Sequence, residues 1–134
     1  GTIRAVAYSG DKTTGQFSLV TSGKPKKLRL TADRGKISKG YGDLSYITTE
    51  VVDKGGLLVT YGDNTVTYTV EGVGNLQAIG NNNPKSKEDY FGNVRKAHQG
   101  KLMAVVKSVG KAGTIKIKAS SPGLEDANIV IHVE

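Results

Sequence analysis

The chain contains no cysteine and no tryptophan, and each absence narrows what it can do. Without cysteine it can form no disulfide, no thiolate metal site and no cysteine nucleophile. Without tryptophan it lacks one of the two side chains most often used as a flat platform for sugars. Apolar runs are also short, far below the ~20 residues that a membrane-spanning helix requires. We therefore expect no insertion into a membrane.

We recognise no signal peptide at the start of this sequence. The chain opens at Gly1 and passes at once into an alternating run, whereas a secretory signal needs a charged start followed by an apolar stretch. We interpret the sequence as a segment excised from a longer protein.

Positive charge exceeds negative charge, with 19 Lys and Arg against 12 Asp and Glu and a net charge of +7. Such a balance favours anionic partners and keeps a domain soluble. The positive residues are scattered along the chain, however, and the densest stretch, Lys24 to Lys39, alternates with apolar residues such as Leu28 and Leu30. This pattern is typical of the solvated outer face of a strand, so we predict no nucleic-acid partner.

Glycine is abundant at 18 residues, and Val, Ile, Thr and Tyr fill the segments between glycines. Short β-branched runs separated by Gly, Asn and Asp are typical of hairpins and sandwiches. The clearest run holds Ile115 and Ile117 on one face and the neighbouring lysines on the other. The sequence predicts an all-β, immunoglobulin-like antiparallel β-sandwich of about seven core strands, preceded by an N-terminal two-strand segment. The predicted strands are 3–8, 16–21, 27–32, 44–53, 65–70, 75–79, 101–109, 114–119 and 128–134.

Two connections between the predicted strands have a recognisable character. Gly110 to Gly113 is short and rich in glycine, which predicts a tight hairpin between the flanking strands. The stretch from Asn81 to Gly100 is polar and predicts a long connection, with one helical turn around Ser86–Asp89.

The first 22 or so residues predict a two-strand unit that turns at Gly10-Asp11-Lys12. A lone hairpin is only marginally stable, so this unit either pairs with the main body or belongs to a neighbouring β-domain. Gly and Pro interrupt the strand pattern at Thr21 to Pro25, where we place the domain boundary. Residues 1–22 are then an N-terminal strand pair, which ends a preceding β-domain if it does not pair with the main body, and 23–134 are the immunoglobulin-like β-sandwich domain.

A search for catalytic and metal-binding motifs finds none. There is no Gly-x-Ser-x-Gly elbow, and His98 and His132 lie far apart. Gly72-Val73-Gly74 is not a dinucleotide loop, because Gln77 replaces the third glycine and a predicted strand follows. The only paired acids are adjacent, whereas glycosidic cleavage needs two carboxyl groups facing each other ~5–9 Å apart. These pairs are Glu88-Asp89 and Glu125-Asp126. We therefore predict no catalytic, cofactor-binding or metal site.

Carbohydrate binding is the remaining candidate. Tyr68 falls on an apolar face and is predicted to be core, whereas other aromatic residues lie in or beside loops. Tyr90 and Phe91, close to Asn82 and Asn83, predict a polar and aromatic patch at one end of the sandwich, a candidate for weak glycan or interdomain contact. Two alternatives stay open: loop aromatics often anchor a loop onto the core, and consecutive asparagines often serve as turn formers. The other loop aromatics are Tyr41 and Tyr61.

An ordered series of short motifs resembles a known module. Leu30-Thr-Ala-Asp-Arg34 and Gly42-Asp-Leu-Ser-Tyr-Ile-Thr-Thr-Glu-Val-Val-Asp-Lys-Gly55 resemble the C-terminal immunoglobulin-like domain of bacterial β-galactosidases in glycoside hydrolase family 2. The similarity spans residues 23–134, and 3–21 is similar to the end of the preceding β-domain. Asn82-Asn83 departs from the pattern, since relatives commonly have Gly-Asp there. The series continues through Asp63-Asn64, Val70-Glu-Gly72, Leu76-Gln-Ala-Ile-Gly-Asn81, Pro84, Gly100-Lys101 and Gly113 to Leu124.

The resemblance implies a function for the chain. Family members carry their catalytic glutamates in a separate (β/α)8 barrel of ~250 residues, which this chain is too short to contain. The expected function is therefore a non-catalytic accessory module of a secreted, periplasmic or cell-surface glycosidase, packing against the other domains of that parent glycosidase. Two alternatives stay open: an independent carbohydrate-binding module with a glycan partner, and an immunoglobulin-like repeat of a surface adhesin.

Overall fold

A computed structural model describes residues 1–40 and 42–134; the loop aromatic Tyr41 lies outside the described residues. Over these ranges the chain is built from β-strands and turns, with no helix. The strands in chain order are β1 (Thr2–Ser9), β2 (Lys12–Val20), β3 (Lys27–Ala32), β4 (Lys36–Ile37), β5 (Leu44–Val52), β6 (Thr65–Gly72), β7 (Gly74–Gly80), β8 (Val94–Lys96), β9 (Lys101–Ser108), β10 (Gly113–Ser120) and β11 (Ala127–Val133).

Two sheets form the sandwich. One is five-stranded in the order β4-β11-β10-β6-β8, and the other four-stranded in the order β3-β5-β9-β7. Neighbouring strands are antiparallel except for the parallel pair β4 and β11. The predicted all-β sandwich is confirmed, and all seven predicted core strands form. The sequence pattern did not predict β4 and β8, because strands of 2 and 3 residues are too short to show a two-residue period.

The core lies between the two sheets and is formed by the alternate side chains of each strand that point inward. Ile115 and Ile117 of β10 are buried while Lys116 and Lys118 are exposed, as the alternation predicts. Burying one such side chain contributes about 1.5–3 kcal/mol, so a one-residue slip of register would be strongly unfavourable. The largest buried side chains are Ile47, Tyr68, Ile79, Ile115, Ile117 and Ile131.

The prediction of a hairpin at Gly110 to Gly113 is wrong. Strand β9 belongs to the four-stranded sheet and β10 to the five-stranded sheet, so this segment crosses from one sheet to the other. The segment from Gly72 to Gly74 is another such crossing, between β6 and β7. Side-chain alternation cannot distinguish such a crossing from a hairpin, because strands show the same period in either sheet.

The predicted helical turn around Ser86–Asp89 is also wrong. These residues lie in irregular structure after a β-turn in which the Ser86 N–H donates to the Asn83 carbonyl oxygen at 3.0 Å. The Ser86 hydroxyl accepts a hydrogen bond from the Glu88 N–H at 3.3 Å. Such local side-chain bonds offer the backbone an alternative to helix.

The first two strands, β1 and β2, form a separate two-stranded sheet that we call the N-terminal hairpin. It turns at Gly10, whose φ is 60°, and it pairs with neither sheet of the sandwich within the described residues. Hydrogen bonds to the sandwich begin just afterwards, where the Gly23 N–H donates to the Asp53 carboxylate at 2.7 Å. The proposed domain boundary after residue 22 stays a prediction.

Candidate functional site

The loop from residue 81 to residue 92 folds back beside β7. The Ile79 N–H donates to the Tyr90 carbonyl oxygen at 2.8 Å. The Tyr90 ring lies over Gly80, since a Cβ built on that glycine would be 3.5 Å from ring atoms Cδ1 and Cε1. Tyr90 is nevertheless 69% exposed as a residue, and Phe91 is 74% exposed. Tyr90 thus contacts the sheet at one side and leaves most of its surface open to solvent.

The three consecutive asparagines shape the start of this loop. Asn81 Oδ1 accepts from the Asn83 N–H at 3.1 Å, and Asn83 Oδ1 accepts from the Lys85 N–H at 3.0 Å. Asn81 Nδ2 donates to the Lys96 carbonyl oxygen at 2.8 Å, which ties the loop to β8. These bonds are typical of asparagine in turns. Asn82 itself takes a φ of 56°, in the left-handed region.

A small polar cavity, the Arg95 cavity, lies under this loop with a volume of about 170 Å³; its lining includes Asn82, Asn83, Ser86, Glu88, Tyr90 and Arg95. The Arg95 side chain is only 4% exposed, and its Nη1 lies 3.8 Å from Glu88 Oε2. Arg95 Nε is buried and has no hydrogen-bond partner among the described residues. A buried polar atom of this kind is rare in folded proteins.

A larger groove, the Tyr90 groove, adjoins this cavity with a volume of about 740 Å³; its lining includes Thr48, Thr60, Asn82, Tyr90, Gln99 and Met103. Thr48, Met103 and Gly80 lie side by side on β5, β9 and β7. Met103 is 44% exposed, so this face of the four-stranded sheet is the outer one. The groove and the cavity share Asn81, Asn82 and Tyr90.

A two-residue turn between β8 and β9 forms part of the groove lining. The N–H of His98 donates to the Lys101 carbonyl oxygen at 3.1 Å, and the N–H of Lys101 donates back to His98 at 3.0 Å. Gln99 and Gly100 between them have φ values of 51° and 76°, as a type I′ turn requires. Gln99 is an unusual residue there, because asparagine or glycine is preferred at positive φ.

The structure brings together part of the predicted patch. Tyr90 and Asn82 line both the cavity and the groove, whereas Asn83 lines only the cavity. Phe91 is not among the residues that line either one. Sequence reasoning missed Arg95 and Gln99; Gly100 is the local signal that could have indicated the turn.

The adjacent pairs Glu88-Asp89 and Glu125-Asp126 are exposed. In the part of the chain that the structure describes, no three His, Asp or Glu residues lie close enough to hold a metal ion. Over the same residues, no helix has the length and apolarity that a membrane span demands.

The chain is similar in sequence to a known domain family and to several bacterial proteins. Residues 28–130 match the family model described as glycoside hydrolase family 2 C-terminal domain 5. A β-galactosidase of Bacteroides ovatus is 37% identical over 134 residues, which are 100% of this chain and 16% of that protein. A β-galactosidase of Thermoanaerobacter pseudethanolicus is 31% identical over 133 residues, 98% of this chain and 16% of that protein.

A solved structure is similar over the whole chain. The glycosyl hydrolase family 2 member from Bacteroides cellulosilyticus superposes with a TM-score of 0.96 at 36% identity, covering 100% of this chain and 17% of that one. The similarity includes the N-terminal hairpin as well as the sandwich. The chain therefore spans about a sixth of the length of the relatives that it matches.

Proposed function

The chain belongs to the C-terminal domain 5 family of glycoside hydrolase family 2, and from this we propose that it packs against the other domains of a β-galactosidase-like enzyme as an accessory module. The matches confirm that the chain is a small C-terminal domain of larger proteins and not an enzyme by itself. The glycosidase activity assigned to the longer protein is part of the proposal, supported by relatives named β-galactosidase.

The N-terminal hairpin is the observation that carries the packing proposal. Its register places Ile3 opposite Leu19 and Ala5 opposite Phe17, so one face of the hairpin is apolar. Ile3 is 74% exposed, Phe17 67% and Leu19 59%. A contiguous apolar face of this kind marks a site of contact in soluble proteins, and a two-stranded hairpin is not stable alone. We propose that a neighbouring domain of the longer protein covers this face.

The hairpin is also held near the sandwich by its linker. Gly23 donates its N–H to Asp53 and accepts a hydrogen bond from the Tyr61 hydroxyl at 3.0 Å. The Lys26 N–H donates to the Val52 carbonyl oxygen at 2.9 Å. Because only a few residues separate β2 from these contacts, a domain that holds the hairpin would also be held close to the sandwich.

Hydrogen exchange tests this packing. We expect the amides of β1 and β2 to exchange fast in the 134-residue chain and to become protected in the natural longer protein. Amides of β5, in the middle of the sandwich, are the internal control and should be protected in both. Equal exchange of the hairpin amides in the two proteins would contradict the proposal.

A matched pair of variants locates the contact. In the longer protein, Phe17→Asp places a charge on the apolar face of the hairpin and should restore fast exchange there. Ser18→Asp places the same charge on the opposite face, where Ser18 pairs with Arg4, and should leave protection unchanged. Protection that survives Phe17→Asp would show that another face makes the contact.

The location of the longer protein is a further part of the proposal. We propose that it is secreted, periplasmic or bound at the cell surface, because large glycans do not cross a membrane. Cell fractionation with an antibody against the domain tests this. Recovery of the protein in the cytoplasmic fraction would contradict it.

A further inference from the structure

The Tyr90 groove has the size and lining of a small-molecule site. Ligand pockets occupy ~300–1,000 Å³ and combine an apolar wall with a few convergent polar groups, and the groove measures about 740 Å³. Its apolar lining includes Met103 and Leu58, and its polar lining includes Asn82 and Gln99. A pyranose ring has the complementary surface, an apolar C–H face edged by hydroxyl groups.

Tyr90 provides the aromatic surface that such a ring would stack on. Its ring is anchored by contact with Gly80 and by the hydrogen bond that its own carbonyl oxygen accepts from Ile79. Tyr90 is still 69% exposed, and its hydroxyl adds a polar handle to an apolar face. An anchored ring loses little freedom when a ligand stacks on it, which favours binding.

Charge in the groove favours a neutral ligand. Among the described residues that line it, Lys101 is the only Lys, Arg, Asp or Glu. The Lys101 ammonium is 55% exposed and lies 3.8 Å from the Glu50 carboxylate, so solvent and a counter-charge both reduce its field. The buried Arg95 guanidinium lies in the adjoining cavity and is itself 3.8 Å from Glu88.

Backbone strain points to the same place. Asn82 and Gln99 are the two non-glycine residues with positive φ in the described part of the chain, and both line the groove. Non-glycine residues at positive φ are uncommon, and strained positions cluster at ligand sites. Here the two strained residues come from separate segments, one after β7 and one between β8 and β9.

We infer that the Tyr90 groove binds a neutral saccharide, with Tyr90 as the stacking surface and Asn82 and Gln99 as hydrogen-bonding groups. The choice of a β-galactoside as first probe rests on the proposed function. The groove itself is independent of the hairpin, so its test and the exchange experiment above can fail separately.

An NMR titration of the 134-residue chain tests the inference. The probes are methyl β-galactoside and lactose, with maltose as a different neutral sugar and methyl β-glucuronide as an anionic one. We expect saturable shifts at the amides of Tyr90, Gln99 and Met103, with the glucuronide binding no more tightly than the galactoside. Binding of maltose but of neither galactoside would support a saccharide site in the groove and would contradict a galactoside as its ligand.

Variants distinguish a loss of ring stacking on the ligand from a loss of folding. Tyr90→Ala should weaken binding about tenfold, the effect of losing one aromatic contact, while Tyr90→Phe should retain most of it. Phe91→Ala is the matched control, because Phe91 is equally exposed but does not line the groove. Gln99→Gly removes a side-chain amide at a position that glycine tolerates, and should weaken binding without loss of folding.

Three results would overturn the inference. They are the absence of saturable shifts with every neutral saccharide, equal losses from Tyr90→Ala and Phe91→Ala, and protection of the groove amides by another domain in the longer protein. The last would assign the groove to a protein contact instead.

Discussion

The Tyr68 hydroxyl donates a hydrogen bond to Thr49 Oγ1 at 2.6 Å in the middle of the core. Tyr68 lies on β6 of the five-stranded sheet and Thr49 on β5 of the four-stranded sheet, so the bond joins the two layers of the sandwich. Both side chains are buried, at 1% and 0% exposure. A buried phenol needs such a partner, and here the partner is supplied by the opposite sheet.

Removing this hydrogen bond should lower the free energy of unfolding. Tyr68→Phe leaves the Thr49 hydroxyl without its buried partner, and we expect a loss of about 1–2 kcal/mol in urea denaturation. Tyr46→Phe is the control, because Tyr46 is 42% exposed on the outer face. If both variants lose the same stability, the inter-sheet bond contributes nothing of its own.

Tyr68 should also make stability depend on pH in the alkaline range. Burial raises the pKa of Tyr68 from 10.0 to about 12. The raised pKa means that the stabilising contribution is complete below pH ~10 and is lost as the pH rises towards ~12, by at most about 1.4 kcal/mol per pH unit. Urea denaturation from pH 9 to ~12 should show a steeper fall in the wild type than in Tyr68→Phe. Parallel curves would contradict this.

Asp53 should make folding stability fall at low pH, whereas Tyr68 makes it fall at high pH. The Asp53 carboxylate accepts hydrogen bonds from the backbone N–H groups of Gly23, Leu57 and Gly55. These bonds hold the pKa of Asp53 below its ordinary value. The stabilisation is therefore present above the ordinary pKa of 3.8 and is lost as the pH falls through the lowered pKa.

Asp53→Asn should reduce stability at neutral pH, since an amide has one accepting oxygen in place of two, and should flatten the acid dependence. Thermal melts between pH 2 and pH 7 measure both effects. Asp11→Asn, in the exposed turn of the hairpin, is the control and should leave the melts unchanged. An unchanged acid limb in Asp53→Asn would assign the dependence to other carboxylates.

Gly72 should tolerate no side chain. Its φ is 98°, and a Cβ there would lie 2.1 Å from the Thr114 carbonyl oxygen on the neighbouring strand. Gly72→Ala should therefore cost at least about 2 kcal/mol through backbone strain and overpacking. Gly35→Ala is the matched control, because its Cβ would meet no atom within 4 Å. A near-neutral Gly72→Ala would show that β6 and β10 can separate without loss.

Gln99 offers the reverse case, a position where substitution should stabilise. Asparagine adopts positive φ more readily than glutamine, so Gln99→Asn should raise stability by about 0.5 kcal/mol. The next residue of the turn should be intolerant, because a Cβ on Gly100 would lie 2.3 Å from the Val59 carbonyl oxygen. Chemical denaturation of Gln99→Asn and Gly100→Ala tests both signs. Loss of stability in Gln99→Asn would mean that the longer side chain makes contacts that compensate for the strain.

The candidate site was only partly predictable from sequence. Tyr90 and Asn82 stand within one polar loop, so their proximity is a local property. Thr48 and Met103 reach the same groove from β5 and β9, and Arg95 reaches the adjoining cavity from a strand of 3 residues. Phe91 was expected in the patch, but it lines neither space.

The sequence by itself determined the seven longer strands of the sandwich and their buried faces, because a two-residue period is a local property that each run of residues displays independently. Only the tertiary structure decided which strands share a sheet. Ile115 and Leu102 alternate in the same way, yet their strands lie in opposite layers, since pairing depends on hydrogen bonds between segments that are distant in sequence. The same long-range pairing assembles the groove beside Tyr90 and leaves the apolar face of the N-terminal hairpin without a cover.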